Sequence, residues 1–201
     1  MQIQSRPMGD YQTNCYLITI DDKTLIIDPG IGATEWVLAH AHNPVAILNT
    51  HGHFDHTWSN AALQQALHIP LYVPDEDAFM LMDDPFGQGT PPSHPDVRVS
   101  GDTQLEIAGI PVRYRHFPGH TPGNSVIEIG GEWFSGDFLF HRSIGRWDFP
   151  YSSANDMIRS LQKAGQITQD YPIHPGHGPG TTLRDEQANF PYWIEQVQRT
   201  V

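Results

Sequence analysis

The amino-acid sequence predicts a single α+β domain in which two β-sheets pack face to face under outer helices, a four-layer αββα sandwich. Three observations carry this. Short apolar runs flank tight turns early and late in the chain, at Asp21-Asp22-Lys23, Gly109 and Gly130-Gly131, as in antiparallel hairpins. Stretches with helical spacing of apolar residues lie between those runs. The length, 201 residues, suits one domain spanning 1–201.

Taken in order, residues 14–20 and 24–28 read as two strands joined by the Asp21-Asp22-Lys23 turn. A helix over 34–41 and a short buried strand over 45–49 follow. Residues 57–67 are helical, with Ala62, Leu63, Ala66 and Leu67 on one face, and Pro70 ends the run. A strand at 71–73 and a short helix at 75–82 lead into residues 83–102. That stretch is rich in proline and glycine and lacks periodicity, so it reads as a long surface loop. With Phe86 inside it and Met80 and Met82 beside it, a lid over a cleft is the alternative. Strands at 105–107 and 111–115 flank Gly109, and strands at 126–129 and 132–134 flank Gly130-Gly131. Residues 153–164 form a helix with Ser153 as N-cap and Asp156 three positions on. A last strand at 172–174 and short helices at 183–189 and 191–199 complete the chain.

Composition excludes several functions. With 23 acidic residues against 11 Lys and Arg, the formal charge is −12, which repels nucleic acid and anionic membrane surfaces. No apolar stretch approaches the ~20 residues that span a bilayer, and no secretory signal opens the sequence. The single cysteine, Cys15, lies in an apolar strand pattern and reads as a core thiol, in keeping with a reducing cytoplasm. Histidine is the anomaly. There are 12, more than all Lys and Arg together, and neutral imidazole is the commonest metal ligand.

Those histidines concentrate in Thr50-His51-Gly52-His53-Phe54-Asp55-His56, directly after a buried strand and directly before a helix. Four ligands within six residues crowd a single ion but can divide between two about 3.5–4 Å apart. His51 and His53 can face one ion, and Asp55 and His56 its neighbour. Gly52 lets the backbone turn tightly between them. Three further ligand types sit at strand ends or glycine-flanked turns: His120 in Pro118-Gly119-His120-Thr121-Pro122-Gly123, Asp137 after Gly136, and His177 in Pro175-Gly176-His177-Gly178. His116 and His174 lie on strands and read as structural. His40, His42 and His68 sit at helix ends, where imidazole meets carbonyls, and His94 lies in the loop.

These motifs, with Asp28-Pro29-Gly30 before them and all in the same order, resemble the metallo-β-lactamase superfamily over nearly the whole chain, and within it the short glyoxalase II-like, hydroxyacylglutathione hydrolase-like subgroup. The resemblance implies that His51, His53 and His120 hold one divalent metal, and that Asp55, His56 and His177 hold a second. Asp137 would bridge them and Asp28 would brace the ligand loop from behind. Zinc is the expected metal, with iron or manganese as alternatives that imidazole and carboxylate also accept. Asp55 and Asp137 return only two negative charges to two dications, which favours metal-bound hydroxide near neutral pH. Asp55 is expected also to orient the attacking water. The true β-lactamases of the family lack the bridging aspartate, and the flavodiiron reductases carry a glutamate where His53 stands.

The implied activity is hydrolysis of a small acyl thioester, with a small molecule as partner and neither nucleic acid nor membrane. A monomer or small homo-oligomer is expected. Full-length glyoxalase II adds a C-terminal helical domain with basic residues for glutathione. Only 24 residues follow His177 here, so the thiol carrier stays open. Arg146, in Gly145-Arg146-Trp147-Asp148, falls near the family's substrate-binding lysine and is a substrate anchor, with a salt bridge to Asp148 as the alternative. His141 is a second substrate-binding expectation. Rival readings are a lactonase on the same site, a mononuclear iron persulfide dioxygenase, and an inert metal-bearing binding protein.

Overall fold

The structure is a computed structural model and describes residues 1–200. Its first sheet has six strands in the order β1 (Gln2–Met8), β2 (Thr13–Ile20), β3 (Lys23–Ile27), β4 (Pro44–Leu48), β5 (Leu71–Pro74) and β6 (Val97–Val99). The first three run antiparallel and the rest parallel. The second sheet orders β14 (Thr181–Thr182), β13 (Pro172–Pro175), β10 (Glu132–Gly136), β9 (Ser125–Ile129), β8 (Ile110–His116) and β7 (Thr103–Ile107). Only its β10–β13 pair is parallel.

Strand alternation builds the four layers. Tyr16, Ile18, Leu25, Ile27, Ala46 and Leu48 point inward, where they meet Val112, Tyr114, Ile127, Ile129 and Phe134 of the other sheet. The intervening Cys15, Leu17, Ile26 and Ile47 point outward onto Val37 and Leu63 of α1 (Ala33–His40) and α3 (Asn60–Leu67) and onto Leu81 of α4 (Ala78–Asp83). On the opposite side, Val126 and Trp133 face Met157, Leu161 and Phe190 of α5 (Ala154–Gly165) and α7 (Phe190–Gln198). A period of two buried on both faces is what a central sheet layer requires. Cys15 is fully buried in this core, and burial pushes its thiol up, out of the reactive range.

The first hairpin turn is one residue tighter than the sequence predicts, and the Gly130-Gly131 turn has the two residues expected. Asp21-Asp22, Ala108-Gly109 and Gly130-Gly131 all have positive φ at both positions, the two-residue geometry whose twist matches the strands. Lys23 therefore belongs to β3 and not to the turn. Ser153 caps α5 by accepting a hydrogen bond from the Asp156 amide, as the sequence predicts. The helix expected at 57–67 is two helices, α2 (Phe54–Thr57) and α3, and α2 reaches back to include Asp55 and His56. The helix expected at 75–82 is a 3₁₀ turn, Asp75–Asp77, followed by α4. A five-residue helix α6 (Leu183–Gln187) precedes α7.

The sequence pattern leaves several strands undetected. The edge strand β1 is mostly exposed and shows no apolar alternation. Strand β6 lies inside the 83–102 stretch, and β11 (Leu139–Phe140), β12 (Ser143–Ile144) and β14 have two residues each. Among the described residues no helix is long and apolar enough to cross a membrane.

Candidate metal centre

Parallel pairing carries the functional side chains to one end of each sheet. Strands β3 and β4 run together, so Asp28 and the His51–His56 segment emerge side by side. Strands β10 and β13 do the same for Asp137 and His177. His120 joins them from the loop between β8 and β9. The backbone crowds to achieve this. Gly136 has φ +50 against the Thr50 side chain, and a Cβ at Gly176 would reach the Asp137 carboxylate and the His56 ring.

The seven side chains that the sequence singles out as ligands converge on one cluster. Ligand atoms of His51, His53 and His120 lie within 4.8 Å of one another, as do those of Asp55, His56 and His177. Asp137 stands between the two groups. Its Oδ1 is 3.3 Å from His56 Nε2, and its Oδ2 is 3.4 Å from His120 Nε2 and 3.5 Å from His177 Nε2. Asp55 Oδ2 is 3.4 Å from both His56 Nε2 and His177 Nε2. His53 Nδ1 and His120 Nε2 face each other at 2.9 Å.

Hydrogen bonds behind the cluster fix which nitrogen faces inward. His56 Nδ1 donates to Asp28 Oδ2 at 3.0 Å, and the Thr50 amide and hydroxyl donate to the same carboxylate at 2.8 and 2.6 Å. With its hydroxyl proton given to Asp28, Thr50 Oγ accepts from His51 Nδ1 at 3.0 Å. His120 Nδ1 donates to the Arg146 carbonyl at 2.9 Å and His177 Nδ1 to the Tyr11 carbonyl at 3.0 Å. The Nε2 atoms of His51, His56, His120 and His177 are thereby turned to the centre. Asp28 also lies close to His51 and His56, but its oxygens are occupied by these three donors, which makes it a brace and not a ligand.

The donor set fits divalent cations. His51 Nε2, His56 Nε2 and Asp137 Oδ1 are buried without a hydrogen-bond partner; the last two face each other without hydrogen-bonding alignment. Orphaned buried polar atoms are costly, and a cation satisfies all three at once. Electrostatics divide the site. Burial, reinforced by neighbouring imidazoles, holds His51 well below its usual pKa and His53 at about 3. Burial also lowers His120. These three offer lone pairs. Burial opposes charge on His56 and His177 too, yet the carboxylates outweigh it. Asp55, Asp137 and Asp28 lift His56 well above its usual value, and Asp137 and Asp55 lift His177 to about 9. Against the upward pull of burial, His56 and His177 hold Asp137 well below the carboxylate range and Asp55 at about 2. The carboxylates thus demand positive charge at their centre, the charge that bound cations bring.

Three residues that the sequence reading did not single out hold the cluster. Thr13 Oγ1 donates to Asp55 Oδ2 at 2.7 Å, and Asn14 Nδ2 donates to the carbonyls of Pro175 and Gly178 on either side of His177. Asp77 is fully buried and accepts from the Gly52 amide at 2.9 Å, Thr121 Oγ1 at 2.6 Å and the Gly123 amide at 2.6 Å. It ties the His51–His53 turn to the His120 loop. An acidic run, Asp75-Glu76-Asp77, gives no hint that its third member is buried.

The cluster opens into a cleft of about 340 Å³ lined by His53, Asp55, His120, Asp137 and His177 together with Tyr11, Phe54, Phe86, Gln88, Phe149 and Pro150. Phe86 and Gln88 bring the 83–102 stretch into contact with it. A family model described as the metallo-beta-lactamase superfamily matches residues 8–177, a span that includes all seven candidate ligand positions. The chain belongs to the metallo-beta-lactamase superfamily. Its similarity to other members extends over nearly the full length. Hydroxyacylglutathione hydrolase GloC of Haemophilus influenzae is 33% identical, covering 96% of this chain and 98% of that protein. The solved BLEG-1 B3 metallo-beta-lactamase superposes with a TM-score of 0.84 at 29% identity, over 95% of this chain and 99% of that one. TTHA1623, solved in a di-iron-bound form, superposes with a TM-score of 0.81 at 31% identity, over 94% and 99%.

The two substrate-binding expectations fare differently from the ligands. His141 does not line this cleft; it borders a separate depression with Arg142, Asp185, Glu186 and Asn189, because the β11–β12 hairpin turns it away. Arg146 is not a lining residue either. Its guanidinium is exposed, grips Asp148 through two hydrogen bonds of 2.8 Å and lies over the Phe149 ring at 4.2 Å. Among the remaining histidines, His116 bonds the Pro122 carbonyl and His174 pairs with Glu132, both structural contacts.

Proposed function

We propose that this chain is a dinuclear metal-dependent hydrolase that cleaves small acyl thioesters. The observation that carries the reading is the position of Asp137 between a three-histidine group and an Asp55–His56–His177 group, within 3.5 Å of ligand nitrogens in both. His51, His53 and His120 would hold one ion, Asp55, His56 and His177 the other, with Asp137 shared. When bound, such a pair supplies a hydroxide nucleophile at neutral pH and Lewis acidity for the acyl oxygen. Asp55, held by the Thr13 hydroxyl, lines the cleft and would orient the attacking water and take its proton. The aromatic walls limit bulk water around the scissile bond. A thiolate is a stable leaving group, so the scarcity of general acids in the cleft is no obstacle.

The name borne by the Haemophilus relative supports a thioester substrate. That relative has nearly the length of this chain, so a large added domain is not required for a protein of this size to act on a hydroxyacylglutathione. Zinc is the proposed metal; the di-iron form of TTHA1623 makes iron the first alternative. The buried single cysteine agrees with a reducing, cytoplasmic setting. The test is turnover of a thioester panel, a lactone panel and a persulfide by protein of measured metal content. Thioester cleavage with two metals per chain is expected. Oxygen uptake on persulfide with one iron, or lactone cleavage alone, would replace this reading.

A further inference from the structure

Around its ligand atoms the cleft is walled by Tyr11, Phe54, Phe86, Phe149 and Pro150, and among the described lining residues that are not proposed ligands only Gln88 and the Tyr11 hydroxyl are polar. These residues come from separate places: the β1–β2 turn, α2, the 83–102 stretch and the segment before α5. The rings begin at the metal centre itself. Phe86 packs edge-on against His53 at 5.0 Å between centroids, and Phe149 approaches both His53 and His120 at 6.1 Å. A substrate carbonyl brought to the centre therefore meets aromatic surface beside His53 and His120.

No lysine or arginine lines this cleft among the described residues. Arg146 is held by Asp148 and covers Phe149 from outside the cleft lining, and the whole chain carries a charge of −12. A carboxylate held against these walls, away from the metal centre, loses hydration without gaining a lysine or arginine partner. A neutral ring gains edge-to-face and stacked contacts there.

We infer that the thioester taken by this cleft is uncharged and carries a ring-sized apolar group, and that Phe86 and Phe149 set this preference. The inference rests on the thioesterase reading above and narrows its substrate class away from carboxylate-bearing thiol carriers.

Three substrates test it: the phenylacetyl and acetyl thioesters of N-acetylcysteamine, which is neutral, and the phenylacetyl thioester of glutathione. With the metal-loaded protein, kcat/KM for the first is expected to exceed each of the others at least tenfold, about 1.4 kcal/mol. Phe86→Ala is expected to shrink the phenylacetyl-to-acetyl ratio below threefold while metal content stays at the wild-type value. Phe149→Ala serves the same purpose should Phe86→Ala fail to fold. A glutathione ester used as well as the neutral one, or equal rates for phenylacetyl and acetyl, overturns the inference. If no thioester is cleaved at full metal loading, the hydrolase reading fails by itself. Calorimetric binding of the unreactive phenethyl and ethyl thioethers of N-acetylcysteamine, and of the phenethyl thioether of glutathione, then decides the question. Tighter binding of the neutral ring-bearing thioether sustains the preference, and equal binding removes it.

Discussion

Asp77 Oδ2 accepts a hydrogen bond of 2.9 Å from the amide of Gly52, the residue between His51 and His53, and the same oxygen accepts from Thr121, next to His120. One buried carboxylate thereby braces the loops that carry three proposed ligands. Burial lifts its pKa to about 6 in spite of its donors. Asp77→Ala strands the Gly52 and Gly123 amides and the Thr121 hydroxyl, at about 1–3 kcal/mol for each stranded group before relaxation. We expect a melting temperature lower by roughly 10 °C, given about 2–4 °C per kcal/mol for a chain of this size. Asp77→Asn, which keeps one acceptor oxygen, should lose less. Wild-type melting and metal retention in Asp77→Ala would show that the brace is idle.

Asp28 acts on one proposed ligand from each group. Its removal frees the His56 ring and the Thr50 hydroxyl that orients His51. Asp28→Ala is expected to weaken metal binding by about 10–100-fold, the usual cost of losing such a partner. Chelator competition measures it; unchanged affinity would mean that packing alone orients the two rings.

Metal uptake should release protons. In the metal-free protein the fold raises the pKa of His177 from 6.5 to about 9, so its stabilising contribution is complete below pH 6.5 and lost as pH rises towards 9. Asp55, lowered from 3.8 to about 2, contributes above pH 3.8 and loses that contribution as pH falls towards 2. A cation must displace the protons on His177 and His56, so affinity is expected to climb between pH 6.5 and 9. At pH 7.5, zinc titrations in buffers of different ionisation enthalpy should report at least about one proton released per chain. Identical heats in all buffers would contradict the charge balance described for Asp55 and Asp137.

Arg146 meets the centre through its backbone and not through its charge: its carbonyl accepts from His120 Nδ1, and its exposed guanidinium serves Asp148. Arg146→Ala should therefore keep its metals and leave stability nearly unchanged, as the loss of an exposed ion pair generally does. Metal analysis together with denaturant titration checks both. Loss of metal in this variant would assign the side chain a role at the centre.

The strands and turns of this protein are legible wherever one period dominates. Residues 14–28 alternate between two buried faces and turn at Asp21-Asp22, so both strands and their hairpin can be read directly. The proposed ligand positions are legible because chemistry marks them: His51 to His56 lie within six residues, and His120, Asp137 and His177 each follow a glycine. Strands β1 and β6 are hidden because their pairing is backbone-driven and their side chains are largely exposed or few. Thr13, Asn14 and Asp77 are hidden for a related reason. Their partners lie 25 to 164 residues away, and nothing local distinguishes a buried Asp77 from the exposed acids beside it. His141 misled because it follows a ligand strand in sequence, while the hairpin after that strand reverses its direction.

The central claim is that seven side chains hold two cations that share Asp137. Anomalous diffraction from crystals of the metal-loaded protein, recorded at the metal's absorption edge, tests it most directly. Two peaks per chain are expected, one within about 2.0–2.2 Å of His51, His53 and His120 nitrogens and the other equally close to Asp55, His56 and His177, with Asp137 reaching both. A single peak, or two peaks with Asp137 bound to neither or only one, would contradict it.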